Sequence, residues 1–193
     1  MIQFPFLFAR HGETDWNALG RPQGQLETRL NAEGHAQTAR LVTIMAHVPL
    51  SKIAASPMAR VRQTAEPVAA LRHMSVQYLN GLKECHLGEG QGTEKGPWLK
   101  QYWKGERTPL GAEPFTAFAE RAFAAICAAV DRSDVLIVAH GGVWRALLAH
   151  IDVTPKFWMA NAVPVRVTPE PNGPWRVETV AHDVKAEADR EMV

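Results

Sequence analysis

The stretch Phe6-Leu7-Phe8-Ala9-Arg10-His11-Gly12-Glu13-Thr14 places an apolar run directly before a group of polar residues. The run predicts a strand buried on both faces, with Phe4, Phe6 and Phe8 on one of them. An arginine and a histidine at the end of such a strand lie where open α/β sheets build their sites. A neutral imidazole can attack phosphorus while a guanidinium neutralises phosphoryl oxygens. The stretch therefore favours a phosphoryl site, although an isolated Arg-His pair is more often a surface turn with an ion pair.

Two later segments repeat this arrangement of a strand followed by polar residues. A buried strand over residues 134–139 precedes His140-Gly141-Gly142 at the start of a helix, whose free N–H groups suit an anion. Ser56-Pro57-Met58-Ala59-Arg60 follows a short strand over residues 52–55. Ser56 predicts the N-cap of a helix from 57 to about 64, and Pro67 should kink or restart this helix before it ends near residue 72. Arg60 would then point at the same anion as the two histidines.

The rest of the chain alternates between predicted helices and strands. Residues 81–113 are rich in Gly, Pro and Trp and predict a loop or lid-like insertion. The other predicted elements are helices near 31–46, 114–130 and 142–150, a strand near 76–79, and a hairpin of strands near 163–168 and 175–181. We therefore expect a single domain over residues 1–193, with the α/β class and a three-layer α/β/α fold. Its central sheet should be mostly parallel, with an antiparallel edge.

Composition and charge limit the class of protein. Of 193 residues, 46% are hydrophobic and 21% are charged, which is typical of a water-soluble globule. The formal net charge of +1 gives no global field to attract nucleic acid or an anionic membrane, so any anion site must be local. Cys85 and Cys127 are too few for a disulfide framework and fit a reducing compartment. The N-terminal apolar run lacks a basic leader and is far shorter than the roughly 20 residues of a membrane span, so we expect a cytoplasmic protein.

Four segments, in order, resemble the histidine phosphatase superfamily, the group that includes the cofactor-dependent phosphoglycerate mutases. The segments that carry the resemblance are Arg10-His11-Gly12-Glu13-Thr14 with Trp16-Asn17, Ser56-Pro57-Met58 with Arg60, Leu82-Lys83-Glu84, and Val138-Ala139-His140-Gly141-Gly142. Gln23-Gly24 also follows the opening motif as the family pattern expects. Glu27-Thr28-Arg29-Leu30 departs from the family's usual Asp-x-Pro-Leu, so contacts near that loop should differ.

The resemblance implies a role for each matched residue. His11 is the nucleophile that forms a phosphohistidine, and Glu84 protonates the leaving oxygen and then activates water. Arg10, Arg60 and a protonated His140 surround the phosphoryl group as three cations. Because these cations would neutralise a dianion, neither a metal nor another cofactor is expected. The remaining implied contacts are Asn17 and the Gly141 N–H to the phosphate, and Gln23 and Gly24 to the substrate.

The implied activity is phosphatase hydrolysis of a small phosphorylated metabolite, without nucleic acid or membrane as a partner and with a homodimer left open. The main alternative is mutase-type phosphoryl transfer. Mutases of the family carry a longer insert with paired arginines, whereas residues 93–114 are short and supply only the scattered cations Lys95, Lys100, Lys104 and Arg107. A tyrosine of the mutases falls on Leu87, which cannot hydrogen-bond an anion. A non-catalytic phosphate-binding module is a further alternative, disfavoured because every matched catalytic residue is present.

Overall fold

Six strands form one sheet in the computed structural model, which describes residues 2–153 and 159–180. The strands are β1 (Phe6–Arg10), β2 (Lys52–Ala55), β3 (Val76–Tyr78), β4 (Val135–Ala139), β5 (Pro164–Thr168) and β6 (Arg176–Thr179). Their order across the sheet is β3-β2-β4-β1-β5-β6. The first four run parallel, whereas β5 and β6 are antiparallel to their neighbours. The expected mostly parallel sheet with an antiparallel edge is confirmed.

Helices cover both faces of this sheet. They are α1 (Asp15–Ala18), α2 (Ala32–Ala46), α3 (Ala59–Leu71), α4 (Pro97–Trp103), α5 (Phe115–Ala129) and α6 (Gly141–Leu148), with short 3₁₀ turns at Asn80–Leu82 and Gly88–Gly90. Helices α2 and α3 pack on one face of the sheet, and α5 and α6 pack on the other. The three layers match the predicted α/β/α class. In the described parts of the chain, no helix combines the length and apolar character needed to cross a membrane.

The central strands are apolar without alternation because both of their faces are buried. Phe6 and Phe8 project into the core beneath α5 and α6, whereas Leu7 and Ala9 project into the core beneath α2 and α3. This burial on two faces is typical of parallel strands between helical layers. The prediction for Phe4 was wrong, since its side chain is 39% exposed. Pro5 has no N–H to donate to a neighbouring strand, and β1 begins only after it. Phe4 therefore lies outside the strand.

Helix α3 differs from its prediction at its start and in its middle. Met58, not Ser56, is the N-cap, and the Glu27 carboxylate, not the cap residue's own side chain, accepts the Ala59 N–H at 2.9 Å. The Ser56 hydroxyl lies instead 2.9 Å from a ring nitrogen of His140. The helix also continues through Pro67 without a restart. Buried Ala65 and Val68 on either side of that proline hold the helix against the sheet, so packing overrides the local preference.

The segment over residues 81–113 is not only a loop, because it contains helix α4. Pro97 occupies the first turn of α4, where a missing N–H costs nothing. Tyr102 is buried, and Trp98 and Trp103 pack partly buried against the core beneath α5 and α6. The predicted C-terminal hairpin is confirmed by the pairing of β5 with β6. Its predicted last residue, 181, lies outside the described residues.

Candidate active site

The three strand-end segments meet because β2, β4 and β1 are neighbours and run parallel. Arg10 is in register with Ala139, and Ala55 with Val138. The backbone N–H of His11 donates to Ala139 O at 3.0 Å, and that of Ser56 donates to Val138 O at 3.1 Å. The residues that follow each strand are thereby fixed at one edge of the sheet.

His11 is buried and held in one orientation. Its Nδ1 lies 2.7 Å from the carbonyl oxygen of Gly12. A carbonyl only accepts, so Nδ1 carries the proton and Nε2 keeps a free lone pair. Burial lowers the pKa of His11 well below its usual value, and the nearby charges of Arg60 and Arg10 act in the same direction. The imidazole is therefore neutral, as a nucleophile must be.

His140 lies edge-on to His11, with ring centroids 5.3 Å apart. It is fully buried, and its Nε2 lies 2.9 Å from Ser56 Oγ. Its Nδ1 has no hydrogen-bond partner among the described residues. Burial lowers the pKa of His140 well below its usual value, and the charge of Arg60 lowers it further. A further cation beside two arginines is disfavoured, so His140 is neutral here, whereas a protonated His140 facing a bound dianion stays a prediction.

Arg60 and Arg10 supply the fixed positive charge of the site. Arg60 is fully buried, and its Nη1 and Nη2 donate to Leu26 O at 2.9 Å and Gly24 O at 2.8 Å. Its Nε has no hydrogen-bond partner in the described parts of the chain. Burial lowers the pKa of Arg60 to about 10, which leaves it charged at neutral pH. Burial also lowers the pKa of Arg10, against the opposing effect of Glu84, and Arg10 Nη1 donates to Met159 O at 3.4 Å.

Gln23 and Gly24, the predicted substrate contacts, line the pocket but also hold Arg60. The Gly24 carbonyl accepts from Arg60 directly. Gln23 Oε1 accepts from the Thr28 hydroxyl, which in turn accepts from Arg60 Nη1 at 3.3 Å. Thr28 belongs to the loop that departs from the family pattern, and here it links Gln23 to the buried arginine.

Asn17 and Gly141 also lie at the pocket. Asn17 forms a capping box with Thr14, in which Asn17 Oδ1 accepts from the Thr14 N–H at 3.1 Å. Since the oxygen of Asn17 is used in this way, its amide N–H groups remain available to the pocket. Gly141 begins helix α6 and lines the same pocket. Both residues are thus placed where the sequence predicts phosphate donors.

Glu84 lines the same pocket as His11. Its Oε2 accepts from the Gly142 N–H at 2.9 Å, and its Oε1 accepts from the Cys85 N–H at 2.9 Å. A Cβ added at Gly142 would lie 2.0 Å from the Glu84 carboxylate, so a glycine is needed for this close approach. The carboxylate is therefore fixed beside the first turn of α6.

The backbone around Glu84 is held by Arg121 on helix α5. Arg121 Nη1 donates to Gly81 O at 2.9 Å and to Lys83 O at 3.1 Å. Its Nη2 forms an ion pair of 2.6 Å with Glu113, whose Oε1 also accepts from the His86 N–H at 2.7 Å. We call Arg121 and Glu113 the clamp. It connects both sides of Glu84 to one helix.

Three of these residues were not predicted from the sequence. Ser56 was assigned to a helix cap, and nothing in the sequence indicated its contact with His140. Arg145 lines the pocket four residues after Gly141, so helical periodicity could have placed both on one face. Arg121 contacts carbonyl groups far away in the chain, and such contacts leave no sequence pattern.

A single pocket of about 680 Å³ brings most of the predicted residues together. Its lining includes Arg10, His11, Asn17, Arg60, Glu84 and Gly141. His140 does not line it but lies directly behind His11. Within residues 2–153 and 159–180, no group of three or more His, Cys, Asp or Glu side chains is arranged to hold a metal ion. The arrangement around this cavity is a neutral imidazole, the buried guanidinium group of Arg60, the half-buried one of Arg10, and one carboxyl group.

Comparison with known proteins gives consistent matches. The model of the histidine phosphatase superfamily (branch 1) matches residues 6–181. The uncharacterized phosphatase PhoE of Bacillus subtilis is 30% identical over 145 residues, covering 74% of each chain. A protein of Shigella boydii named "Probable phosphoglycerate mutase GpmB" is 30% identical over 170 residues, covering 81% of this chain and 78% of its own. A mycobacterial glucosyl-3-phosphoglycerate phosphatase, solved with VO3, superposes with a TM-score of 0.78 at 27% identity over 91% of this chain and 98% of its own.

Proposed function

Because this chain belongs to the histidine phosphatase superfamily, we propose that it hydrolyses phosphomonoesters of small metabolites through a phosphohistidine at His11. The observation that carries the proposal is the hydrogen bond from Nδ1 of His11 to the Gly12 carbonyl, which leaves Nε2 free in a pocket with the buried Arg60 and the half-buried Arg10. Phosphoryl transfer needs mainly positioning and charge stabilisation from the protein. The site supplies both with its own side chains.

In the first step, Nε2 of His11 attacks phosphorus, and the bond from phosphorus to the leaving oxygen breaks. Glu84 enters this step in its acid form and gives its proton to that oxygen, so the alcohol leaves neutral. Arg10 and Arg60 offset the charge on the phosphoryl oxygens, with the Asn17 amide and the Gly141 N–H as further donors. The products of this step are phosphohistidine, free alcohol and a Glu84 carboxylate.

In the second step, the Glu84 carboxylate takes a proton from water while the water oxygen attacks phosphorus. The bond from phosphorus to Nε2 breaks, inorganic phosphate leaves, and His11 and Glu84 return to their starting states. His140 assists through its remaining ring nitrogen. If the Ser56 hydroxyl donates to Nε2 of His140, the proton sits on Nδ1, which can then donate to a phosphoryl oxygen.

Transfer of the mutase type is the second candidate, since one relative bears a mutase name. A mutase must bind its substrate in two orientations and protect the phosphoenzyme from water. Leu87 lines the pocket at the place of the mutase tyrosine and offers no hydrogen bond to an anion. This apolar residue favours hydrolysis.

Replacement of His11 and Glu84 tests the proposal. We expect His11→Ala to abolish both the release of phosphate and the trapping of a labelled phosphoenzyme that is stable in alkali and labile in acid, whereas the exposed His35→Ala keeps both. Glu84→Gln should slow the hydrolysis of alkyl phosphates by about 10²- to 10⁴-fold. It should slow the hydrolysis of aryl phosphates with good leaving groups much less. The assays are phosphate release from a panel of phosphorylated metabolites and interconversion of 2- and 3-phosphoglycerate.

Four results would contradict the proposal. Full activity in His11→Ala would exclude the phosphohistidine, and strong inhibition by a chelator would indicate a metal-dependent reaction. Interconversion of phosphoglycerates faster than their hydrolysis would establish the mutase alternative. A protein that binds phosphate esters but cleaves none would be a non-catalytic phosphate-binding module.

A further inference from the structure

The pocket contains a second group of basic residues that the proposed chemistry does not use. Glu84 is the single carboxylate among the described residues that line the pocket. The whole chain has a formal net charge of +1, so this local excess of positive charge is not a general property of the protein. The additional lining cations are Arg21, Lys95, Lys100, Lys104 and Arg145.

This second group lies in the outer part of the pocket. His11 and Arg60, which act on the phosphoryl group, are buried, whereas Arg21, Lys95 and Lys100 are exposed. The transferred phosphoryl group must contact the buried residues. The leaving group therefore extends outward, toward the exposed cations.

Helix α4 and its C-cap residue present two of these cations beside apolar side chains. Lys100 and Lys104 are spaced by four residues and line the pocket together with Leu99 and Trp103. Lys104 also pairs with the exposed Glu106 at 3.3 Å. Before α4, the ammonium group of Lys95 approaches the turn at Gly20, where an added Cβ would lie 3.7 Å from it. The three lysines are scattered in the sequence, but all of them line this pocket. Arg107, the fourth cation of the segment, does not line it.

Arg145 connects the outer cations with the catalytic centre. It is half-buried on α6, and its guanidinium carbon lies 5.2 Å from the centroid of the Trp103 ring. Burial lowers the pKa of Arg145, and the charge of Glu84 opposes this effect. An arginine in such a partly desolvated position binds a carboxylate or a phosphate with two parallel hydrogen bonds.

We propose that the leaving group of the substrate carries a second anionic group, a carboxylate or a phosphate, which binds to Arg145, Lys100 and Lys104. We call these three residues the outer anion subsite. This inference rests on the proposed function and names the substrate class of the same site. The pocket of about 680 Å³ has the size of a site for a small molecule. The apolar Trp103 and Leu99 pack against the carbon chain between the two anions.

The test uses three propane phosphates that differ only at the carbon farthest from the ester. The far carbon carries a hydroxyl, a carboxylate or a second phosphate. At low ionic strength, we expect kcat/KM for at least one charged ester to exceed that for the hydroxyl ester by about tenfold or more. Added salt should reduce this ratio, because the lysines are exposed and their charge is screened. The better of the two charged esters identifies the anion as carboxylate or phosphate.

Variants then locate the effect. Arg145→Met and the double variant Lys100→Met/Lys104→Met should each lower the ratio of charged to uncharged ester severalfold. The exposed Arg62→Met, whose partner is Glu66 outside the pocket, should leave all three rates unchanged. Both lysines are at the surface, so their variant tests the subsite even where Arg145→Met folds poorly.

The outcomes separate this inference from the proposed function. Equal cleavage of all three esters by the unmodified protein overturns the outer anion subsite but leaves the phosphatase proposal intact. An unchanged ratio in both subsite variants also overturns it, since the preference then arises elsewhere. Cleavage of no ester at all overturns the proposed function instead.

Discussion

At the scale of single residues, the hydroxyl of Ser56 determines how His140 is presented. Ser56 Oγ accepts weakly from the Met58 N–H at 3.4 Å, so its own proton is free to go to Nε2 of His140. The unpartnered Nδ1 then becomes the donor. A methyl group in place of the hydroxyl would leave the ring free to take the other tautomer.

We expect Ser56→Ala to lower kcat/KM about tenfold and to reduce the free energy of unfolding by only about 1 kcal/mol, the net value of one hydrogen bond. Ser51→Ala is the matched control, because Ser51 is exposed and its hydroxyl donates to Ser133 O. Steady-state kinetics and urea unfolding measure the two effects. An activity of Ser56→Ala equal to that of the control would show that the hydroxyl does not position His140.

The site residues could be predicted from the family resemblance, and some of them also from their position at the end of a strand with a recognisable apolar pattern. Arg10, His11 and His140 are examples, and the structure brings all three to one edge of the sheet. The protonation state of His140 could not be predicted in the same way. It depends on complete burial and on the charge of Arg60, which reaches it from a third segment.

At the scale of elements, helix α5 positions the proposed acid without touching the reacting atoms. Arg121 and Glu113 hold the carbonyl and N–H groups on both sides of Glu84. Gln25 adds a further bond from its Nε2 to Glu84 O at 2.9 Å. The position of the carboxylate is thus determined by a helix and not by the loop alone.

We expect Arg121→Met to reduce turnover about tenfold for alkyl phosphates and much less for aryl phosphates with good leaving groups. Glu84→Gln should show the same dependence on the leaving group. The reason is that a displaced acid slows the reaction most when the leaving oxygen needs a proton. In the double variant with Glu84→Gln, the two effects should not add. Arg132→Met, an exposed residue paired with Asp131, is the control.

A different pattern would assign Arg121 to stability alone. An equal loss of rate for all leaving groups would mean that the whole site is disturbed and that the clamp has no specific effect on the acid. Glu113→Gln gives an independent check, since it weakens the same ion pair from the other side.

The sequence was informative about elements with a regular apolar pattern and less so elsewhere. The spacing of apolar residues located α5 to within a residue at each end. Helix α4 has seven residues, too few to establish a period, and its aromatic side chains pack on a distant core. Helix α3 was divided wrongly at Pro67, because local propensity does not contain the energy of packing against the sheet.

At the scale of the whole molecule, two buried neutral histidines connect folding stability with pH. The folded-state pKa values of His11 and His140 both lie well below 6.5, the value expected when unfolded. Below about pH 6.5 the unfolded chain binds protons that the folded chain does not. The free energy of unfolding is therefore unaffected by these two groups above about pH 6.5, and it decreases as the pH falls from there toward their folded-state pKa values.

We expect the urea midpoint to be lower at about pH 5.5 than at about pH 7.5, and this source to add no change above pH 7.5. The difference should become smaller in the double variant His11→Asn/His140→Asn, provided that it remains folded at both pH values. Urea unfolding followed by circular dichroism measures it. An unchanged pH dependence in the double variant would show that the two rings are not the responsible groups.

The pairing of β1 with β4 has a consequence for how activity arises during synthesis. The proposed nucleophile, His11, directly follows β1, whereas the paired strand β4 lies more than a hundred residues later in the chain. A nascent chain therefore carries this histidine without its neighbours until the ribosome has released β4 and the turn into α6. The topology itself thus keeps the candidate site incomplete until β4 has been made.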